Sequence, residues 1–206
     1  KASDILATLQ DGSVENTCGA YTGSSGGLNG ITGITATVIG NTIELTGTSA
    51  FTLTIYGGRD GAGLSSYQDS VDSITQLSSE TTHGRTVKIL NTSGSFDTYY
   101  AKFVATDSTS GSGVWEETIA PDVSLGLKNN TMPHTLYNTA KNIFTFEAIS
   151  YDDRIVGDDT TNEHPSFNGK TIQQAFYYNN RLGFLTEDNV SMSRAGKFFN
   201  FYMTTA

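Results

Sequence analysis

Short runs in which apolar and polar residues alternate recur along the 206-residue chain, separated by clusters of Gly, Ser and Asn. Alternation with a period of two predicts strands with one buried face. Ala36 to Thr46 carries the strongest such signal. Two β-prone runs flank Gly40-Asn41, a pair able to supply the positive φ of a tight hairpin turn. Phe51 to Tyr56 predicts a further strand, broken by Gly57 to Gly61. Thr86 to Leu90 predicts another, ended by Asn91-Thr92-Ser93-Gly94. Thr98 to Thr106 places Tyr99 and Phe103 opposite Tyr100 and Lys102, and pairs with Gly113 to Ile119 across the loop Asp107 to Ser112. Two stretches carry helical spacing instead. Ile5, Leu6 and Leu9 predict a short helix over Ser3–Gln10, capped by Ser3 or Asp4. Tyr67, Val71, Ile74 and Leu77, spaced four, three and three, favour an amphipathic helix over Tyr67–Leu77. Tyr21 to Gly33 reads as a mobile surface loop. The order of elements suggests an α+β subdomain over residues 1–120.

After the polar connection Pro121 to Asn130 the pattern changes. Ile143 to Phe146 predicts a strand, and Asp152 to Gly169 a long polar loop holding two Asp pairs. Short runs then follow one another: Ala175 to Tyr178, Arg181 to Leu185, Val190 to Ser193 and Phe198 to Tyr202. They are separated by turns such as Asn179-Asn180 and Glu187-Asp188-Asn189. Residues 121–206 are therefore expected to form an antiparallel meander resembling one propeller blade. A single blade cannot bury both of its faces, so this segment reads as the start of a propeller-like domain and the chain as a fragment of something longer. The fold class is mainly β, in the α+β sense.

Composition supports that class. The chain has 22 Gly, 30 Thr and 21 Ser, and only 16% charged residues against about 25% in an ordinary soluble domain. It excludes a coiled coil, a collagen and a helical bundle. Net charge is −9. A protein that grips nucleic acid must neutralise phosphates, so twelve scattered basic residues argue against a DNA clamp. They fit an anionic wall past which DNA slides. The lone Cys18 excludes an internal disulfide and any Cys-based metal site. No run of about 18 apolar residues is present to span a membrane, and the start Lys1-Ala2-Ser3-Asp4 has no signal-peptide character.

Several ordered strings carry a resemblance. Gly157-Asp158-Asp159-Thr160-Thr161-Asn162-Glu163-His164-Pro165-Ser166-Phe167 leads into Phe176 to Leu185, then Asn189 to Arg194 and Phe198-Phe199-Asn200-Phe201. Upstream, Tyr99 to Phe103, Gly113 to Thr118 and Thr131-Met132-Pro133-His134 follow the same order. Over residues 55–203 the chain resembles the tail tubular protein B family, the nozzle proteins of T7-like short-tailed phages. Residues 1–50 carry little of the likeness. The resemblance implies a structural virion protein, six copies of which form a ring. Its expected neighbours are the adaptor ring of tail tubular protein A and the tail fibres, with genome DNA passing through the axis without specific binding. It brings no catalytic residues and no cofactor.

Candidate chemistry is sparse. Asp158, Asp159, Asn162 and Glu163 could offer oxygens to Ca²⁺, but their spacing departs from the calcium loop and suits an Asx turn. His83, His134 and His164 have no partner three or four residues away, so no helical zinc site is encoded. His134 is expected to shape a turn. Gly111-Ser112-Gly113 lacks the strand-to-helix context of a nucleophile elbow. Glu116 and Glu117, adjacent on a strand, point to opposite faces, which does not suit a glycosidase pair. Asp152 with Asp153, and Asp158 with Asp159, leave a glycan-cleaving tail module as an alternative, beside a glycan-binding module using exposed Tyr. The aromatics Phe176, Tyr177, Tyr178, Phe184, Phe198, Phe199, Phe201 and Tyr202 read mainly as core, and Trp115 as a buried anchor. Arg181 and Arg194 lie within apolar runs, where an unpaired charge is costly. They are expected to form buried structural ion pairs, with Asp158 or Asp159 as acids.

Overall fold

The computed structural model describes residues 33–53, 64–92 and 97–205. The expected helix over Ser3–Gln10, Cys18, nearly all of the Tyr21–Gly33 loop, the breaker Gly57–Gly61 and the end of the Phe51–Tyr56 run lie outside them. The chain divides into two compact units. One comprises Lys1–Ile89 with Ala101–Glu116, the other Leu90–Tyr100 with Glu117–Ala206.

In the first unit, β1 (Ile34–Ile39) and β2 (Thr42–Gly47) form the hairpin that the alternation predicts, with Ile39 opposite Thr42. Gly40 turns the chain at φ +56, a conformation glycine adopts without steric cost. A five-stranded sheet runs in the order β3-β5-β6-β7-β4. Its strands are β3 (Ser70–Val71), β4 (Glu80–Thr82), β5 (Thr86–Ile89), β6 (Tyr99–Ala105) and β7 (Ser110–Thr118). In β6 the alternation does what the sequence implies: Ala101, Phe103 and Ala105 are buried and the residues between them are not. Val87, Ile89 and Phe103 form the core, and Trp115 meets Phe103 edge-on at 5.2 Å. Trp115 is a half-buried anchor whose Nε1 donates to the Ser78 carbonyl at 2.8 Å. Two carboxylates tie the hairpin to the sheet edge. Glu80 accepts from the Asn41 amide at 2.7 Å, and Glu44 accepts from Thr82 and Arg85.

The helix expected over Tyr67–Leu77 does not form. Ser70–Val71 pairs in parallel with Lys88–Ile89, and only Ile74–Gln76 makes a single 3-10 turn. Ser73 caps that turn while Gln76 reaches back to the cap, and Leu77 leaves in extended geometry. Ser, Asp and β-branched residues are weak helix formers, so ladder bonds to β5 outweigh the spacing. No α-helix occurs among the described residues, so the fold is mainly β without the expected α+β character there. Phe51 to Leu53 form no strand.

In the second unit, β8 (His134–Ala140) and β9 (Ile143–Ala148) form a separate hairpin. β10 (Gln174–Tyr178), β11 (Arg181–Leu185) and β12 (Val190–Met192) form an antiparallel three-stranded meander. Asn179 and Asn180 both adopt positive φ, +47 and +58, as a two-residue turn demands. Phe198 to Tyr202 adds no fourth strand, and Phe201 packs inward. The core gathers Met132, Tyr151, Phe167 and Phe184. Phe184 stacks on Phe201 at 5.1 Å, and Phe167 meets both edge-on. On the other face of β11, Gly183 leaves room for the Phe176 ring, which a Cβ would strike.

Phe184 is fully buried at the centre of this aromatic group. Phe184→Ala is expected to destabilise the unit by about 3–5 kcal/mol, read from urea unfolding. A loss under about 1 kcal/mol would mean the ring cluster is not the core.

Candidate functional site

Among the described residues, the most heavily bonded of the buried side chains belongs to a residue without a motif. Arg154 sits in the segment Asp152 to Gly169, expected to be a polar loop. That segment instead buries Arg154, Val156, Asn162 and Phe167. The Arg154 main chain is held by the Leu125 carbonyl, which accepts from its amide at 2.6 Å. Its guanidinium then serves four acceptors. Nη1 donates to the carbonyls of Asp158 (3.1 Å) and Asn162 (2.8 Å). Nη2 donates to the Ser124 carbonyl and to Asp159 Oδ1, the latter at 2.8 Å. Four of five N–H groups are used, and the planar fork suits a ring of carbonyls better than an ammonium would. The guanidinium carbon lies 6.0 Å from the Tyr202 ring centroid.

Asn162 extends the same knot. Its Nδ2 donates to the Val156 and Met203 carbonyls, and its Oδ1 accepts from the Met203 amide at 3.1 Å. Gly157, at φ +76, pairs with Ile119, and its carbonyl accepts from Ala120. Two stretches far apart in sequence, residues 119–125 and Met203, are thereby joined through one irregular segment.

The expected acids thus meet a different arginine. Asp159 pairs with Arg154, whose side chain is fully buried while the carboxylate is 68% exposed. Asp158 Oδ1 accepts from the Thr160 and Thr161 amides, and the Asp158 carbonyl accepts from Arg154. Arg181 is half-buried and donates to the Ser193 carbonyl at 2.9 Å. Arg194 is exposed, and its main chain bridges to Lys197. The physical reason is local: a strand-borne arginine can bond the carbonyl across the ladder or reach water, so neither Arg181 nor Arg194 calls for a buried acid.

The remaining candidates serve the fold. Asp158 makes the Asx turn, Asn162 is committed to main chain, and among the described residues no three His, Cys, Asp or Glu converge. His83 Nδ1 accepts from the Ala105 amide. His134 does not shape a turn: it opens β8, donates Nδ1–H to the Met132 carbonyl at 2.8 Å and stacks on Phe146. His164 Nδ1 bonds the Tyr202 hydroxyl at 2.7 Å. Glu116 is exposed and Glu117 half-buried on alternate positions of β7. Among the aromatics, Phe184 and Tyr202 are buried, Phe176 and Phe201 half-buried, and Tyr177, Tyr178, Phe198 and Phe199 exposed. Desolvation pushes the Tyr151 and Tyr202 hydroxyls up to about 12, with Asp153 adding to the effect at Tyr202 and Arg154 opposing it.

These features describe a β-built module held by polar stitching and aromatic packing. The family model described as "Bacteriophage nozzle protein" matches residues 4–206. The chain belongs to that family, one of structural phage tail components. It is 37% identical over 131 residues to the tail tubular protein gp12 of Escherichia phage T7, covering 63% of this chain and 16% of that relative. The chain therefore spans about a sixth of the length of the curated relative it matches. No helix of the described residues is long and apolar enough to cross a membrane.

Two outcomes follow. Arg154→Met strands the buried Asn162 carbonyl and the part-buried carbonyls of Ser124 and Asp158, and is expected to cost about 3 kcal/mol by denaturant unfolding. Asp159→Asn, at the exposed end of the pair, stays within about 1 kcal/mol. Equal losses would show that the ion pair, not the carbonyl ring, holds the segment. The raised tyrosines set an alkaline limit. Between pH 10 and about 12 the unfolded chain has lost phenolic protons that the folded chain retains, so stability falls as pH rises through this window. Tyrosinate absorbance is expected to show Tyr151 and Tyr202 among the late-titrating groups. Unfolding free energies that do not decline between pH 9.5 and 11.5 would contradict this.

Proposed function

We propose that this chain is a wall segment of a phage tail nozzle, working as inert scaffolding around a conduit for genome DNA. The observation that carries the reading is the family match across residues 4–206. In the whole protein, six copies close a ring whose neighbours are an adaptor ring and tail fibres. The mechanism is steric and electrostatic. A net charge of −9 repels phosphates, so DNA slides past rather than binding. Laddered main chain and stitched loops such as the Arg154 knot resist deformation, because interiors packed this closely have low compressibility. The module has no catalytic role in this reading, and its carboxylates act through their charge.

The test is direct. Negative-stain images of the full-length protein are expected to show a six-fold ring with an axial pore. Mobility shifts with duplex DNA at physiological salt are expected to show no retained complex. A compact trimeric spike, or release of reducing ends from host surface polysaccharide, would overturn the proposal.

A further inference from the structure

Two overlapping turns close the segment Asp152 to Gly169. Asn168 donates its amide to the Pro165 carbonyl at 2.8 Å, and Lys170 donates its own to the Phe167 carbonyl at 3.0 Å. Gly169 stands between them at φ +73, which with the bond across it marks the second central position of a type II turn. Its N–H has no acceptor among the described residues, and a Cβ built on it would meet nothing within 4 Å. Asn168 is exposed, and neither end of its carboxamide is bonded to a described residue. Other asparagines differ on both counts. The side chains of Asn129, Asn162, Asn180 and Asn200 each accept a hydrogen bond, and each precedes a residue that carries a Cβ.

A carboxamide next to a free main-chain amide is an acyl group beside a nucleophile. The Gly169 nitrogen bonds to Asn168 Cγ and gives up its proton. The Cγ–Nδ2 bond breaks, ammonia leaves with that proton, and a five-membered succinimide closes. Water then opens the ring. Hydrolysis at Cγ leaves aspartate, and hydrolysis at the former main-chain carbonyl leaves isoaspartate, whose chain runs through Cγ. Nothing is oxidised or reduced, and water is the only co-reactant. The approach requires the peptide between the two residues to rotate out of the turn. Glycine permits that rotation because both signs of φ are open to it, and the untethered carboxamide can then reach near-attack geometry.

We propose that Asn168-Gly169 is a self-modification site, at which the folded protein converts its own asparagine to isoaspartate and aspartate. The isoaspartate product has a structural consequence. It adds a main-chain methylene between the Cα of residue 168 and Gly169, and the Lys170–Phe167 bond spans that point. Phe167, on one side, is 2% exposed in the aromatic core, and Lys170, on the other, reaches Asp188 Oδ2 at 2.7 Å. Lengthening the chain here loosens the turn that seats Phe167.

The experiment holds full-length protein for weeks in native, mildly alkaline buffer. Its peptides are then mapped by mass spectrometry with fragmentation that separates isoaspartate from aspartate. The peptide containing residue 168 is expected to carry at least about tenfold more of the two products than those containing Asn129, Asn162, Asn180 or Asn200. The pair Asn29-Gly30 is read on its own peptide. An intact Asn168 in the native protein overturns the proposal, whether or not urea releases the reaction, and so do equal levels at all these asparagines. Asn168→Gln, which would have to close a larger ring, is expected to keep the circular dichroism spectrum and lose the products at that position. Asn168→Asp adds the charge without lengthening the main chain. It is expected to keep the parent's urea midpoint, while the isoaspartate fraction of aged protein unfolds at lower urea. An isoaspartate fraction as stable as the parent would mean that Phe167 does not depend on this turn.

Discussion

Buried main-chain carbonyls must find donors, and in the irregular part of the second unit side chains supply them, the Arg154 guanidinium foremost. That unit's residues outside strands outnumber those within them, so ladder bonds cannot satisfy its interior. Arg154 takes the carbonyls of Ser124, Asp158 and Asn162 together, and Asn162 carries the same arrangement to Met203. A buried charge is tolerated here because four of its donors are occupied and Asp159 lies at the solvent side. Without this stitch, the carbonyls of Ser124, Asp158 and Asn162 would lose their guanidinium donor.

The first unit solves the same problem by ordinary means. Its strands satisfy one another, and Phe103, Val87 and Ile89 fill one side. The attachment of the β1–β2 hairpin uses side chains, through Glu44 and Glu80. Both solutions commit polar side chains to holding the main chain. Each histidine and each carboxylate of the Asp158 turn is engaged in holding chain to chain. That is the chemistry a wall requires.

Local signals were legible where a single neighbour decides the outcome. Gly40-Asn41 and Asn179-Asn180 mark turns because few residues tolerate positive φ there. The alternation of Ala101, Phe103 and Ala105 locates a half-buried strand for the same reason. Tyr67–Leu77 misled because its spacing fits a helix, while the competing partner, β5, pairs at positions eighteen residues on, Ser70 with Lys88 and Val71 with Ile89. The hairpin strand β8 carries no clean alternation, so His134 reads as a turn residue until Ala148 is seen opposite it.

The sequence by itself determined the β class, the turns, the acidic balance and the family, since each depends on composition or on order along the chain. Tertiary structure alone decided which arginine is buried. Arg154 has no spacing that separates it from Arg181 or Arg194, and the signals near it, Ile155-Val156 beside an Asx-rich turn, are slight. Its burial is a relation among Ser124, Asn162 and Met203, and a relation between distant segments exists only once the chain has closed on itself.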